Sequence, residues 1–162
     1  MIGHFPKEDR VRYGLRYEPL LLPKISEFLN DTLVKTNYCF SMLDYEGIRT
    51  WSELKVRSSN HSRSDPWFEN GWLLPACKFL EAAAKVSDEH KEVWFFYLWE
   101  RDGSLWAYKY HPDDMNRFRL DVPSFHNDNQ LHYYVPQDRF QFVCNLQIED
   151  SLKKDKCLIV DS

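Results

Sequence analysis

Residues 38–57 read YCFSMLDYEGIRTWSELKVR, and the way this stretch pairs with itself decides the fold. Tyr38 to Tyr45 and Arg49 to Arg57 are rich in β-formers, with Glu46-Gly47 as a turn signal between them. Strand alternation puts Trp51, Glu53, Lys55 and Arg57 on one face of the second strand and Thr50, Ser52, Leu54 and Val56 on the other. On the first strand Tyr38, Phe40, Met42 and Asp44 share a face. A turn centred on Ile48-Arg49 places Asp44 opposite Glu53 and Lys55 opposite Met42. A turn centred on Glu46-Gly47 instead puts Glu53 opposite Phe40, roughly 13 Å along the strand from Asp44's partner.

Outward from this hairpin, Leu22, Ile25, Leu29 and Leu33 recur at helical spacing and predict a helix within residues 18–35, with Pro19 or Pro23 at its first position. Downstream, Asp65 to Gly71 reads as a loop and Leu73 to Val86 as a second helix striped by Ala76, Phe79, Leu80 and Ala83. A very apolar strand follows (Val93 to Trp99), then an Asp102-Gly103 turn and a partner strand, Leu105 to Tyr110. Residues 111–130 read as a long loop, His132 to Val135 as a short strand, and Pro136 as the start of a short helix or turn. The tail SLKKDKCLIVDS could add a strand. The expected class is α/β: a mixed central sheet flanked by helices, in one domain over residues 1–162 with its core at about 15–145.

With Asp44 opposite Glu53, the two carboxylates sit about 5 Å apart. They repel unless a cation or proton intervenes. Oxygen ligands of this kind suit Mg²⁺ or Mn²⁺, which can polarise a phosphate and lower the pKa of a bound water. Lys55, two residues past Glu53 on the same face, can reach the same water or phosphate. Metal, water and cation at one point is the chemistry of phosphodiester hydrolysis. The other Glu-x-Lys triplet, Glu89-His90-Lys91, has no acid at hairpin distance before it and reads as a charged loop.

Asp44, eight intervening residues, then Glu53-Leu54-Lys55 resembles the PD-(D/E)XK nuclease superfamily, in which an acid on one strand precedes an acid-x-Lys on the next. Leu43 stands where that pattern often has proline. With the helix–strand–strand–helix–strand order, the resemblance covers about residues 15–110. It implies a restriction-endonuclease-like αββαββ core, with Asp44, Glu53 and Lys55 catalytic and Asp44 and Glu53 holding Mg²⁺ or Mn²⁺. Many members add a glutamate from the first helix. Glu18 shares the inward face with Leu22, Ile25 and Leu29, whereas Glu27 lies opposite it, so Glu18 is the preferred third ligand. The stretch Trp94 to Tyr110 is similar to small nuclease-like proteins of large DNA viruses and phages.

Composition sets the bounds. Hydrophobic residues make up 43% of the 162 and aromatics 16%, which excludes a disordered chain. No apolar run reaches the ~20 residues of a membrane span. MIGHFPKEDRVRYG lacks the apolar stretch of a secretory signal, and Cys39, Cys77, Cys144 and Cys157 form no Cys-x-x-Cys pair. An intracellular, cytoplasmic or nuclear, location is therefore expected. No Gly-rich phosphate loop and no Gly-x-Ser-x-Gly elbow occurs, so neither nucleotide hydrolysis nor serine esterase chemistry is supported.

The net charge of -4 opposes nucleic-acid binding. Yet Leu54 to Ser64 carries Lys55, Arg57, His61 and Arg63 with no acid among them, and a local patch can track phosphates. Arg57, Arg63, Trp51 and Lys78 are the candidate nucleic-acid contacts, with DNA expected before RNA, and a homodimer would allow both strands to be cut. Each also has a plainer reading as an ordinary surface side chain. The rival functions are a catalytically silent nuclease-fold module that binds nucleic acid, and a domain whose aromatic surface serves a protein partner.

Overall fold

The computed structural model describes residues 16–36, 43–123 and 130–149. In chain order, helix α1 (Glu18–Leu29) precedes β1 (Val34–Lys35), β2 (Tyr45–Glu46), β3 (Thr50–Arg57), a 3-10 turn (Pro66–Phe68) and β4 (Trp72–Pro75). Helix α2 (Ala76–Glu89), β5 (Glu92–Trp99), β6 (Ser104–Lys109) and the short α3 (Asp114–Arg117) follow. The described chain closes with β7 (Arg119–Asp121), β8 (His132–Val135), a second 3-10 turn (Gln137–Arg139) and β9 (Gln141–Asn145).

The main sheet has six strands in the order β1-β2-β3-β5-β6-β9. Among the described strands only β3 and β5 pair in parallel, which the crossover through α2 makes possible. Strand β5 is nearly continuously apolar because both of its faces are covered. On one face α1 buries Leu21, Ile25 and Leu29 against Tyr45, Phe96, Leu98, Leu105 and Ala107. On the other, Phe79 and Ala82 of α2 pack with Trp51, Val93, Phe95, Tyr97 and Trp99. A three-stranded sheet, β4-β8-β7, completes that second layer, with Trp72 and Phe140 at 4.3 Å between ring centroids. The result is a mixed α/β protein with helices on both faces of a mixed sheet.

Several expected boundaries shift, each for a local reason. The first helix ends at Leu29 instead of running toward 35, because Asn30 turns left-handed at φ 50 and caps it; Val34–Lys35 is then a strand. The helix expected from Leu73 begins only at Ala76, since Trp72–Pro75 pairs with β8 as a strand. A short apolar run reads equally as buried strand or helix, and here tertiary pairing decides. Residues 111–130 are not all loop, as they include α3 and β7, and β9 is a strand with no expected counterpart. Much of the strand expected over 38–45, and the tail expected to add another, lie outside the described residues.

Candidate functional site

The β2–β3 register pairs Tyr45 with Ser52 and Glu46 with Trp51. The two-residue loop is therefore Ile48-Arg49, closed by the Gly47 N–H donating to the Thr50 carbonyl at 2.7 Å. The turn signal at Glu46-Gly47 does not mark the reversal, since Glu46 belongs to β2. Two-residue hairpins normally use glycine or asparagine at positive φ, but neither Ile48 nor Arg49 has one. Asp31 supplies what the loop lacks. Its carboxylate accepts the Ile48 N–H at 3.0 Å, the Arg49 N–H at 2.9 Å and the Thr50 hydroxyl at 2.8 Å. These bonds hold the Asp31 carboxyl below the usual carboxylate range, overcoming the burial that pushes it up. A Cβ on residue 47 would meet the Asp31 carboxylate, so a larger residue there would displace the side chain that holds the loop. Asp31→Ala removes three charge-assisted bonds and is expected to cost about 2 kcal/mol in urea denaturation.

That register carries the chain toward Asp44 opposite Glu53. The regular ladder stops one rung earlier, while on the other side the β1 pairing runs on: the Thr36 N–H donates to the Asp44 carbonyl at 3.0 Å and its hydroxyl to that of Leu43 at 2.6 Å. The Asp44 side chain takes over, and its Oδ2 accepts the Leu54 N–H at 2.9 Å. The Asp44 and Glu53 carboxyls are near enough for the charge of Asp44 to bear on Glu53. Burial, and then the neighbouring Asp44 charge, push Glu53 up to about 8. Burial raises Asp44 as well, against the Leu54 N–H and the Lys78 charge. Lys78, from the first turn of α2, reaches Glu53 Oε1 at 2.9 Å. The Lys78 contact alone would lower Glu53, but desolvation and the second carboxyl outweigh it. Glu53 Oε2 is buried with no hydrogen-bond partner.

Lys55 lies two residues beyond Glu53 on the same strand face, half-buried and in register with Tyr97. Glu18, at the start of α1, is near enough to raise Asp44 electrostatically. It is itself held by Lys35 at 2.7 Å. Glu27 is exposed, as its position opposite the apolar stripe implied. The fold thus gathers Asp44, Glu53, Glu18 and Lys78, with Lys55 along the strand. Among the described residues, no three His, Cys, Asp or Glu side chains form a group able to hold a metal ion.

The expected nucleic-acid contacts fare differently. Trp51 is only 5% exposed; its Nε1 donates to Glu89 at 3.1 Å and Lys85 lies 4.1 Å from its ring, so helix α2 covers the face meant for stacking. Arg57 is 8% exposed, donating through Nε to the Tyr97 hydroxyl at 2.9 Å beneath Phe68. Neither is presented to a ligand, because α2 covers Trp51 and the Phe68 and Tyr97 rings cover Arg57. Arg63 is partly exposed, bonded to Asp102 at 2.8 Å and lying over Trp106. Lys78 is turned inward to Glu53. Sequence reasoning missed Asp31, which lies in an Asn-Asp-Thr stretch without any catalytic pattern.

Taken together, the chain is a mixed α/β protein with Glu53 and Lys55 on one face of β3 and Asp44 just ahead of the preceding strand, and among its described residues no helix is long and apolar enough to cross a membrane. No protein-family model, curated protein or solved structure matches it.

Proposed function

We propose that this chain is a divalent-metal-dependent nuclease of the PD-(D/E)XK kind, hydrolysing phosphodiester bonds of DNA or RNA. The observation that carries it is the Ile48-Arg49 register, which carries Asp44 toward Glu53 so that the charge of one bears on the other, on the strand that also bears Lys55. The pair's chemistry fits a hard cation. Both donors are oxygens, they are pressed together at an electrostatic cost, and Glu53 Oε2 lacks a partner that an ion would supply. The strand–helix–strand crossover between β3 and β5, and Glu18 on the helix before the hairpin, support the same assignment.

Asp44 and Glu53 would hold Mg²⁺ or Mn²⁺. When bound, the ion supplies positive charge at the phosphate and a more acidic water. Lys55 orients the attacking water and offsets the charge that builds on the phosphate oxygens. Glu18, tied to Lys35, contributes its field to the pair more than a ligand of its own. One observation favours the rival, a silent nuclease-fold module: among the described residues the acids form a pair and no larger ligand group. Incubation of the protein with single- and double-stranded DNA and with RNA, in Mg²⁺, Mn²⁺ or EDTA, separates the two. Metal-dependent cutting that EDTA stops is the expected outcome, and metal-independent binding without cutting supports the module.

A further inference from the structure

We infer that Lys78 is a built-in competitor for the metal, an inference that rests on the site proposed above. Its ammonium lies 2.9 Å from Glu53 Oε1, with both side chains largely shielded from solvent at 21% and 13% exposure. A cation there occupies a carboxylate oxygen on which a divalent ion would draw. Glu53 therefore cannot give both oxygens to an ion while this contact lasts.

The position of Lys78 on its helix sharpens the point. It sits in the first turn of α2, a turn with no acidic residue, at the end where the helix dipole disfavours positive charge. The Glu53 contact offsets that repulsion. An ion loading onto Asp44 and Glu53 adds its own repulsion to the dipole's and removes much of the attraction. With an ion on the acids, Lys78 would give up Glu53 to it, and its ammonium would then be available to a substrate phosphate. Like-signed charges close together in a shielded site interact strongly, so the ammonium would set how tightly the ion is held.

The test is calorimetric titration of Mn²⁺ alone into the full chain and four variants. Lys78→Met is expected to tighten Mn²⁺ binding about tenfold or more. Lys78→Arg keeps the charge and should stay near wild type. Lys109→Met removes an equal charge from a separate, exposed pair with Glu92, and is expected to leave affinity unchanged. Glu53→Gln should abolish the site. Circular dichroism of each variant confirms that it is folded before titration. Equal or weaker binding by Lys78→Met, with the site still lost in Glu53→Gln, overturns the competitor role and leaves the metal site standing. The same holds if Lys109→Met tightens binding as much. Absence of Mn²⁺ binding in wild type and every variant overturns both this role and the metal site on which it depends.

Discussion

Glu53→Gln is expected to abolish metal-dependent cleavage and, at the same time, to make the metal-free protein more stable above neutral pH. The two effects have one origin. Glu53 is buried beside Asp44 with one oxygen unpartnered, an arrangement that destabilises the ionised fold and suits it to a cation. Glutamine keeps the shape but not the charge, so the ion loses one of its two close carboxylates. Loss of a directly acting group of this kind costs on the order of 10³-fold in rate or more. Lys55→Ala should reduce the chemical step comparably while leaving Mn²⁺ affinity nearly unchanged, since Lys55 is not a ligand. Single-turnover cleavage beside Mn²⁺ titration measures both quantities. Unimpaired cutting by either variant would remove the assignment of that residue.

The second large effect is on the pH dependence of stability. In the unfolded chain Glu53 ionises near 4.5, whereas in the fold it keeps its proton to about 8. Below pH 4.5 both states are protonated and the group's contribution is fully present. Between 4.5 and 8 the unfolded chain releases a proton that the fold retains, so stability falls as pH rises. Above about 8 the loss is complete. Asp44 is raised too and acts in the same direction. Asp31, Glu89, Glu92 and Asp102 are lowered, so the stability they add is lost only as pH falls through their acidic range, below this window. Wild type in EDTA is therefore expected to lose on the order of 2–4 kcal/mol between pH 5 and 8 in urea denaturation, and Glu53→Gln much less. Saturating Mn²⁺ should reverse the trend, stabilising most where the acids would otherwise repel. A wild-type profile parallel to that of Glu53→Gln would show that the carboxyl titrates as an ordinary surface acid.

How far these features could be read from the chain varied with how local their causes are. The β5 strand announces itself, because a run as apolar as VWFFYLW suits a strand covered on both faces. The face shared by Glu53 and Lys55 follows from alternation alone. The register that matters for chemistry does not, since Ile48-Arg49 carries no turn signature and competes with Glu46-Gly47. Asp31 decides between them through bonds across the fold to residues 48–50. Alternation also put Trp51 and Arg57 on the face of Glu53 and Lys55 without revealing what covers them. That cover comes from α2, the Pro66–Phe68 turn and the second sheet, whose strand Trp72–Pro75 reads in isolation like the start of a helix. Lys78 illustrates the same limit. It lies off the apolar stripe of its helix and looks exposed until Glu53, from a separate strand, is placed beneath it.

The pairing of Asp44 with Glu53 as a cation site is tested most directly by anomalous diffraction from a crystal of the full chain soaked in Mn²⁺. A Mn²⁺ peak about 2.0–2.3 Å from an oxygen of each carboxylate, with Lys78 withdrawn from Glu53, is the expected result. A soaked crystal with no peak between these two side chains, while Mn²⁺ occupies other carboxylates on the same molecule, would contradict it.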